Sequence, residues 1–274
     1  MFSPYYAHAQ SRQGGAVQAG NHCALNVALY GQSGRRWTMT ERGSASVQRE
    51  RQQFVIGPSQ VRWQGDHLRI DIDEVGAPIP RRVRGSVRVY PSALSTFSWA
   101  LDDAGLHRWG PIAPCARVEV DLAQPAAQWR GEGYLDSNEG DEPVTGPFEV
   151  WDWSRARLRD GSTAVVYDVR QRQGGERLLA TRFSPDGQAH AFEPPPRQRL
   201  PATLWRIDRA MRSEPGAGTR VLQTLEDAPF YTRSLVQARL LGEPVTAVHE
   251  TLAPQRLKHW AMPLMLPWRM PRRA

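Results

Sequence analysis

The stretch Val61–Val75, VRWQGDHLRIDIDEV, decides the fold class. After the turn signal Gly65–Asp66, Leu68, Ile70 and Ile72 fall on one side of an extended chain and Arg69, Asp71 and Asp73 on the other. Side chains that repeat every second residue mark a strand with one buried face. SVRVYP (Ser86–Pro91), ARVEVDL (Ala116–Leu122), STAVVYDV (Ser162–Val169) and RLLATRFSPDG (Arg177–Gly187) repeat the habit, with Gly, Pro, Asp or Asn between them. The 22 prolines and 23 glycines are spread as turn residues and not gathered into one linker. The best helix candidate is short, DWSRARLRDG at Asp152–Gly161. Many short strands at regular spacing make the chain all-β, a barrel or a sandwich. A border is expected near GPFEVWDWSRARL, giving halves 1–150 and 151–274, with EPPPRQRLP (Glu193–Pro201) an extended connection inside the second half.

Composition agrees with a folded chain. Of 274 residues, 40% are apolar and 23% charged, enough to bury roughly three-quarters of the surface. The net charge of +7 is almost wholly arginine, Lys258 being the single lysine. A solvated arginine-rich surface accounts for most of it, and attraction to anionic headgroups is the remaining reading. Nucleic acid is not an expected partner, since the arginines are spread evenly with no run of about five basic residues. Cys23 and Cys115 belong to no metal-spaced cluster and read as two reduced, buried thiols of a cytoplasmic protein. The start, MFSPYYAHAQ, lacks the charged and apolar regions of a signal peptide. No apolar run approaches the roughly 18 residues of a membrane span. The tail HWAMPLMLPWRMPRRA (His259–Ala274) has two readings. With Pro263 and Pro267 against a regular helix, it is either a last strand that packs and frays or an interfacial anchor of tryptophans and arginines.

Against this basic background GEGYLDSNEGDEP (Gly131–Pro143) stands out as acidic. It is no EF-hand: counting from Asp136, position 6 is Asp141 and position 12 is Pro147, where glycine and glutamate are needed. Asp136 and Glu142 could serve as a glycosidase pair, which ten tryptophans would suit. No GxSxG, GxGxxG or P-loop occurs. In an extended segment Tyr134 and Asp136 share a face, and His107 and Trp109 share one by the same rule. Turn signals, DDAG before His107 and SNEG after Asp136, let two strand ends aim these four side chains into one cavity. On residue types alone a core Trp and Tyr with a solvated His and Asp is the better account of the pattern.

FSPYYA (Phe2–Ala7), NHCALNVALYG (Asn21–Gly31), MTERG (Met39–Gly43), GYLDSNEGDEP and WDWSRARLRDG (Trp151–Gly161) closely resemble the carotenoid 1,2-hydratases, also called hydroxyneurosporene synthases. The resemblance runs from Phe2 to about Pro254. It implies cofactor-independent addition of water to the terminal C1–C2 double bond of acyclic carotenoids such as neurosporene and lycopene, in photosynthetic bacteria. It also implies a lipocalin-like fold, two barrel-like halves with an apolar tunnel. The family's acid–base Asp, with Tyr two residues before it and a His-x-Trp pair upstream, corresponds here to Asp136, Tyr134, His107 and Trp109.

The chemistry suits those residue types. A weakly basic alkene needs a strong proton donor, and an apolar setting can raise an aspartic acid by up to about 3–5 units from its usual value. Protonation at C2 leaves a tertiary cation at C1, for which Trp109 and Tyr134 offer ring faces. His107 would orient or deprotonate the water. Glu139, Asp141 and Glu142 then form a solvated turn. The competing functions are a non-catalytic carrier of apolar isoprenoids and a hydratase or dehydratase of another isoprenoid. A bilayer-dissolved substrate implies peripheral contact with the inner, photosynthetic membrane.

Overall fold

The Leu68–Ile70–Ile72 face is built into an antiparallel sheet in the computed structural model, which describes residues 3–13, 17–31, 35–216 and 218–273. Phe2, the first residue of the first matching string, and Ala274 lie outside them. The chain groups into two units. One holds Met1–Pro91, Ala116–Gly133 and His259–Ala274; the other holds Ser92–Cys115 and Tyr134–Lys258. The expected border near residue 150 therefore falls inside the second unit, and the halves 1–150 and 151–274 are not the grouping observed.

In the first unit Val47–Arg49, Gln53–Ile56, Ser59–Gln64, His67–Val75 and Arg82–Pro91 form a meander, each strand paired with the next. Register carries the alternation across the sheet. Leu68 faces Val89, Ile70 faces Val87, and those two valines face Val118 and Val120. The same face continues to Glu74, which the pattern of isoleucines does not announce. Glu74 is fully buried and takes a two-pronged pair from Arg42, with Nη1 to Oε1 at 3.1 Å and Nη2 to Oε2 at 2.8 Å, plus the Ser59 hydroxyl at 2.7 Å. Gly57 leaves room for that arginine: a Cβ there would lie 2.3 Å from Arg42 Nε, at φ +60°.

The second unit is organised by seven strands in the order Ala189–Ala191, Glu176–Phe183, Thr163–Gln171, Phe148–Arg157, Glu243–Leu252, Tyr231–Leu240, Arg220–Asp227. The long strands His107–Gln124 and Ala126–Gly140 contribute one end to each unit. One face of the seven-stranded sheet carries Trp151, Trp153 and Arg155 beside Val169, Tyr167 and Val165, and beside Leu252, Glu250 and Val248. The opposite face carries Asp152, Ser154 and Ala156. It is covered by the hairpin Arg197–Leu200 and Arg209–Arg212, with Arg197 on Asp152 at 3.0 Å and Arg212 on Asp168 at 2.9 Å.

The strand content makes the protein all-β, and several expectations are corrected. Asp152–Arg157 is strand, not helix: W-D-W-S-R-A-R alternates, and two partner strands override the local helix formers. The tail ends in a short strand, Arg272–Arg273, paired in parallel with Glu41–Arg42, but its prolines do not bar it from helix. Met262–Arg269 is helical because Pro263 sits in the first turn, where no N–H is needed, and Pro267 removes one bond just before the end. SNEG is not a turn, since the strand runs on to Gly140. The resemblance implies two barrel-like halves; among the described residues neither large sheet closes on itself, so no closed barrel is found. Cys115 is buried but Cys23 only partly so; both are free thiols.

Removing one partner from the Arg42–Glu74 pair strands a buried charge. Arg42→Met is expected to lower unfolding stability by about 3–5 kcal/mol in urea titrations, with part recovered by adding Glu74→Gln. A loss below about 1 kcal/mol would mean the pair behaves as a surface one.

Candidate active site

Trp109 is the fixed point. It is fully buried, with its ring enclosed by Tyr167 at 5.7 Å, Phe183 at 6.2 Å and Phe97 at 6.3 Å between centroids. What it presents to its neighbour is therefore an N–H and not a ring face. Nε1 donates to Asp136 Oδ2 at 2.7 Å, and the Tyr134 hydroxyl donates to the same oxygen at 3.2 Å. Strand alternation brings Tyr134 and Asp136 to that point, with Leu135 pointing away. Two donors on Oδ2 leave Oδ1 as the oxygen for a proton, and Asp136 keeps a partly exposed edge.

Burial pushes the Asp136 carboxyl above the usual carboxylate value. The Trp109 N–H opposes that rise, the charge of Glu250 adds to it, and the Tyr134 hydroxyl and Arg155 oppose it. Burial, then the Asp136 charge, push the Tyr134 phenol well up, so it remains an O–H donor. Arg155 lies over the Tyr134 ring, its guanidinium carbon 4.9 Å from the centroid, while Trp153 sits 5.5 Å away, centroid to centroid. Glu250, opposite Trp153 in register, is held by Arg233 at 2.8 Å. The Trp153 Nε1 is buried without a hydrogen-bond partner among the described residues.

His107 is not brought to this group. Its Nδ1 faces Asp102 Oδ2 at 2.5 Å and its Nε2 faces the Glu142 carbonyl at 3.1 Å. Asp102 Oδ1 in turn accepts the Leu106 N–H at 2.9 Å. Both ring nitrogens are thus occupied in tying the turn before His107 to the loop after Gly140, and neither is open to a substrate water. Gly140 permits the approach, since a Cβ there would lie 2.8 Å from His107 Cδ2. Asp102, His107 and Glu142 place donor atoms within 4.8 Å of one another. The two internal bonds already use the imidazole, so the set reads as a strut and not as a metal centre. Asp141 pairs with Arg108 at 3.0 Å, and Glu139 and Glu142 are exposed, as a solvated edge requires. A cavity of about 170 Å³ is lined by Phe97, Trp109, Ile112, Ser137 and Glu139; Asp136 does not line it.

Sequence reading missed Trp153, Arg155 and Glu250. Trp153 and Arg155 lie in WDWSRARL, the string misread as helix. Read as a strand, it puts both on the face of Trp151.

The family model described as carotenoid hydratase CrtC matches residues 1–274. The chain belongs to this carotenoid hydratase family. It is 59% identical over 274 residues to the acyclic carotenoid 1,2-hydratase of Rubrivivax gelatinosus, covering 100% of this chain and 68% of that protein. It is 53% identical over 273 residues to the protein of that name from Thiocapsa roseopersicina, covering 99% and 67%. Against the one from Rhodobacter capsulatus it is 37% identical over 276 residues, covering 100% and 95%.

The raised carboxyl has a consequence for stability in this family member. A group whose folded pKa exceeds its unfolded value contributes stability that is present below the unfolded pKa and lost as pH rises through the folded one. Asp136→Asn removes that dependence. The variant is expected to gain on the parent as pH rises above about 4, in urea titrations at matched pH. A difference that stays flat across pH would contradict a raised Asp136.

Proposed function

We propose that the protein is an acyclic carotenoid 1,2-hydratase in which Asp136 acts as both acid and base. The observation that carries this reading is the convergence of two donors on one oxygen of a largely desolvated carboxyl. Asp136 Oδ1 delivers its proton to C2 of the terminal double bond, and the π electrons form the new C–H bond. The cation left at C1 is tertiary and lies against the new carboxylate, whose charge stabilises it in a water-poor setting. Water attacks C1, and the carboxylate takes the surplus proton from the bound oxygen. One C–H and one C–O bond form, and Asp136 is regenerated protonated. The Trp153 N–H supplies a donor for the incoming water. Trp109 and Tyr134 hold the carboxyl in place by hydrogen bonds, and His107 fixes the loops around it. No step calls on a cofactor.

The names and identities of the relatives support the substrate, with lycopene and neurosporene as the compounds to try. A lipocalin-like architecture belongs to the same proposal, supported by the antiparallel meander and the aromatic face beneath Asp136.

Purified protein given detergent-dispersed lycopene in oxygen-labelled water should form a product heavier by one labelled water. Asp136→Asn should lower turnover by at least the roughly 10²–10⁴-fold typical of an acid–base group. Parent activity should fall as pH rises through the raised Asp136 value, because the protonated form starts the reaction. Bound but unchanged lycopene in both proteins would favour a carrier. Full activity in the variant would remove Asp136 as the acid. Trp109→Phe keeps the ring but loses the N–H, and should raise the pH at which activity declines. An unmoved profile would show that the N–H does not act on the carboxyl.

A further inference from the structure

The tail helix shows two faces of opposite character. Met262 and Leu266, with Met270 one turn on, are buried. Leu264 and Trp268 follow the same four-residue spacing on the other side and are 65% and 66% exposed, and Trp260, in the turn before the helix, is 75% exposed. An eight-residue helix is too short to persist alone in water. It is held on its own unit by several bonds: the Trp37 indole N–H donates to the Arg269 carbonyl at 3.1 Å, the Arg269 guanidinium lies 4.3 Å over the Trp37 ring, and Arg272–Arg273 pair with Glu41–Arg42. The exposed stripe is therefore presented by an anchored element.

We propose that the Trp260–Leu264–Trp268 face is a docking surface for the headgroup–acyl boundary of an anionic lipid bilayer. Charge selects this occupant. Residues 254–273 contain no Asp or Glu, and Arg269, Arg272 and Arg273 follow the stripe in a chain of net charge +7. Arg272 also engages Glu41, whereas Arg273 is exposed. Shape agrees: three large side chains, each at least 65% exposed, stand proud of the surface. They suit a deformable medium, into which an apolar face can sink. Tryptophan at headgroup depth with arginine on phosphate is the usual interfacial arrangement. The helix, about 12 Å long, lies along such a surface and is too short to cross it.

The proposal does not rest on the hydratase reading, so its test uses vesicles without substrate. The full chain is co-sedimented with phosphatidylcholine vesicles, with and without phosphatidylglycerol, beside a Trp260→Ser, Leu264→Ser, Trp268→Ser variant and an Arg273→Glu variant. Circular dichroism confirms that each is folded. Binding should favour phosphatidylglycerol, fall about tenfold per apolar side chain removed, and weaken with salt and with Arg273→Glu. No vesicle binding by the folded parent, or equal binding by the triple variant, would overturn the proposal. Concentration-dependent association without vesicles, abolished by the triple variant, would assign the face to a second copy of the chain instead.

Discussion

The hydrogen bond from Trp109 to Asp136 is the constraint on which the functional geometry depends. An indole enclosed by Phe97, Tyr167 and Phe183 cannot turn, so the direction of its N–H is set by packing. That direction fixes Oδ2 of Asp136, and the Tyr134 hydroxyl reaches the same oxygen. The rigidity of the core thus becomes the orientation of the carboxyl. The apolar surroundings that immobilise the ring also desolvate the acid, so positioning and protonation share one cause.

Charged groups on the same sheet face moderate that environment. Glu250 favours the protonated acid, while Arg155 and the two hydrogen bonds favour the carboxylate. A proton donor that must also recapture a proton benefits from such opposition, since an acid pushed too far in either direction would stall one half of the cycle. Arg233 restrains Glu250 at 2.8 Å, which holds one of these charges in place.

Much of this was legible in the sequence, and the failures have physical reasons. Alternation at Leu68–Ile72 and at Ser162–Val169 gave strands because period-two burial is local. Tyr134 and Asp136 could be placed on one face by the same rule. Glu74 broke the pattern because its burial depends on Arg42, a partner 32 positions away. Asp152–Arg157 was misread because arginine and alanine favour helix locally, whereas pairing with Thr163–Gln171 and Glu243–Leu252 decides the outcome. That error hid Trp153 and Arg155. His107 was placed correctly in the strand but given the wrong neighbours: its partners, Asp102 and the Glu142 carbonyl, come from loops whose paths no periodicity describes. The tail prolines look like breakers by type, yet Pro263 falls in the first turn of a short helix and Pro267 near its end, where each is tolerated.

The central claim is that Asp136 is a carboxylic acid held protonated above the ordinary range. Infrared difference spectra between the parent and Asp136→Asn, recorded across pH, observe that carboxyl directly. The account predicts a protonated-carboxyl band, absent from the variant, that persists above the ordinary aspartate midpoint of about 3.9 and shifts when Trp109 becomes Phe. A band that titrates at or below that midpoint, or one indifferent to the loss of the indole N–H, would contradict it.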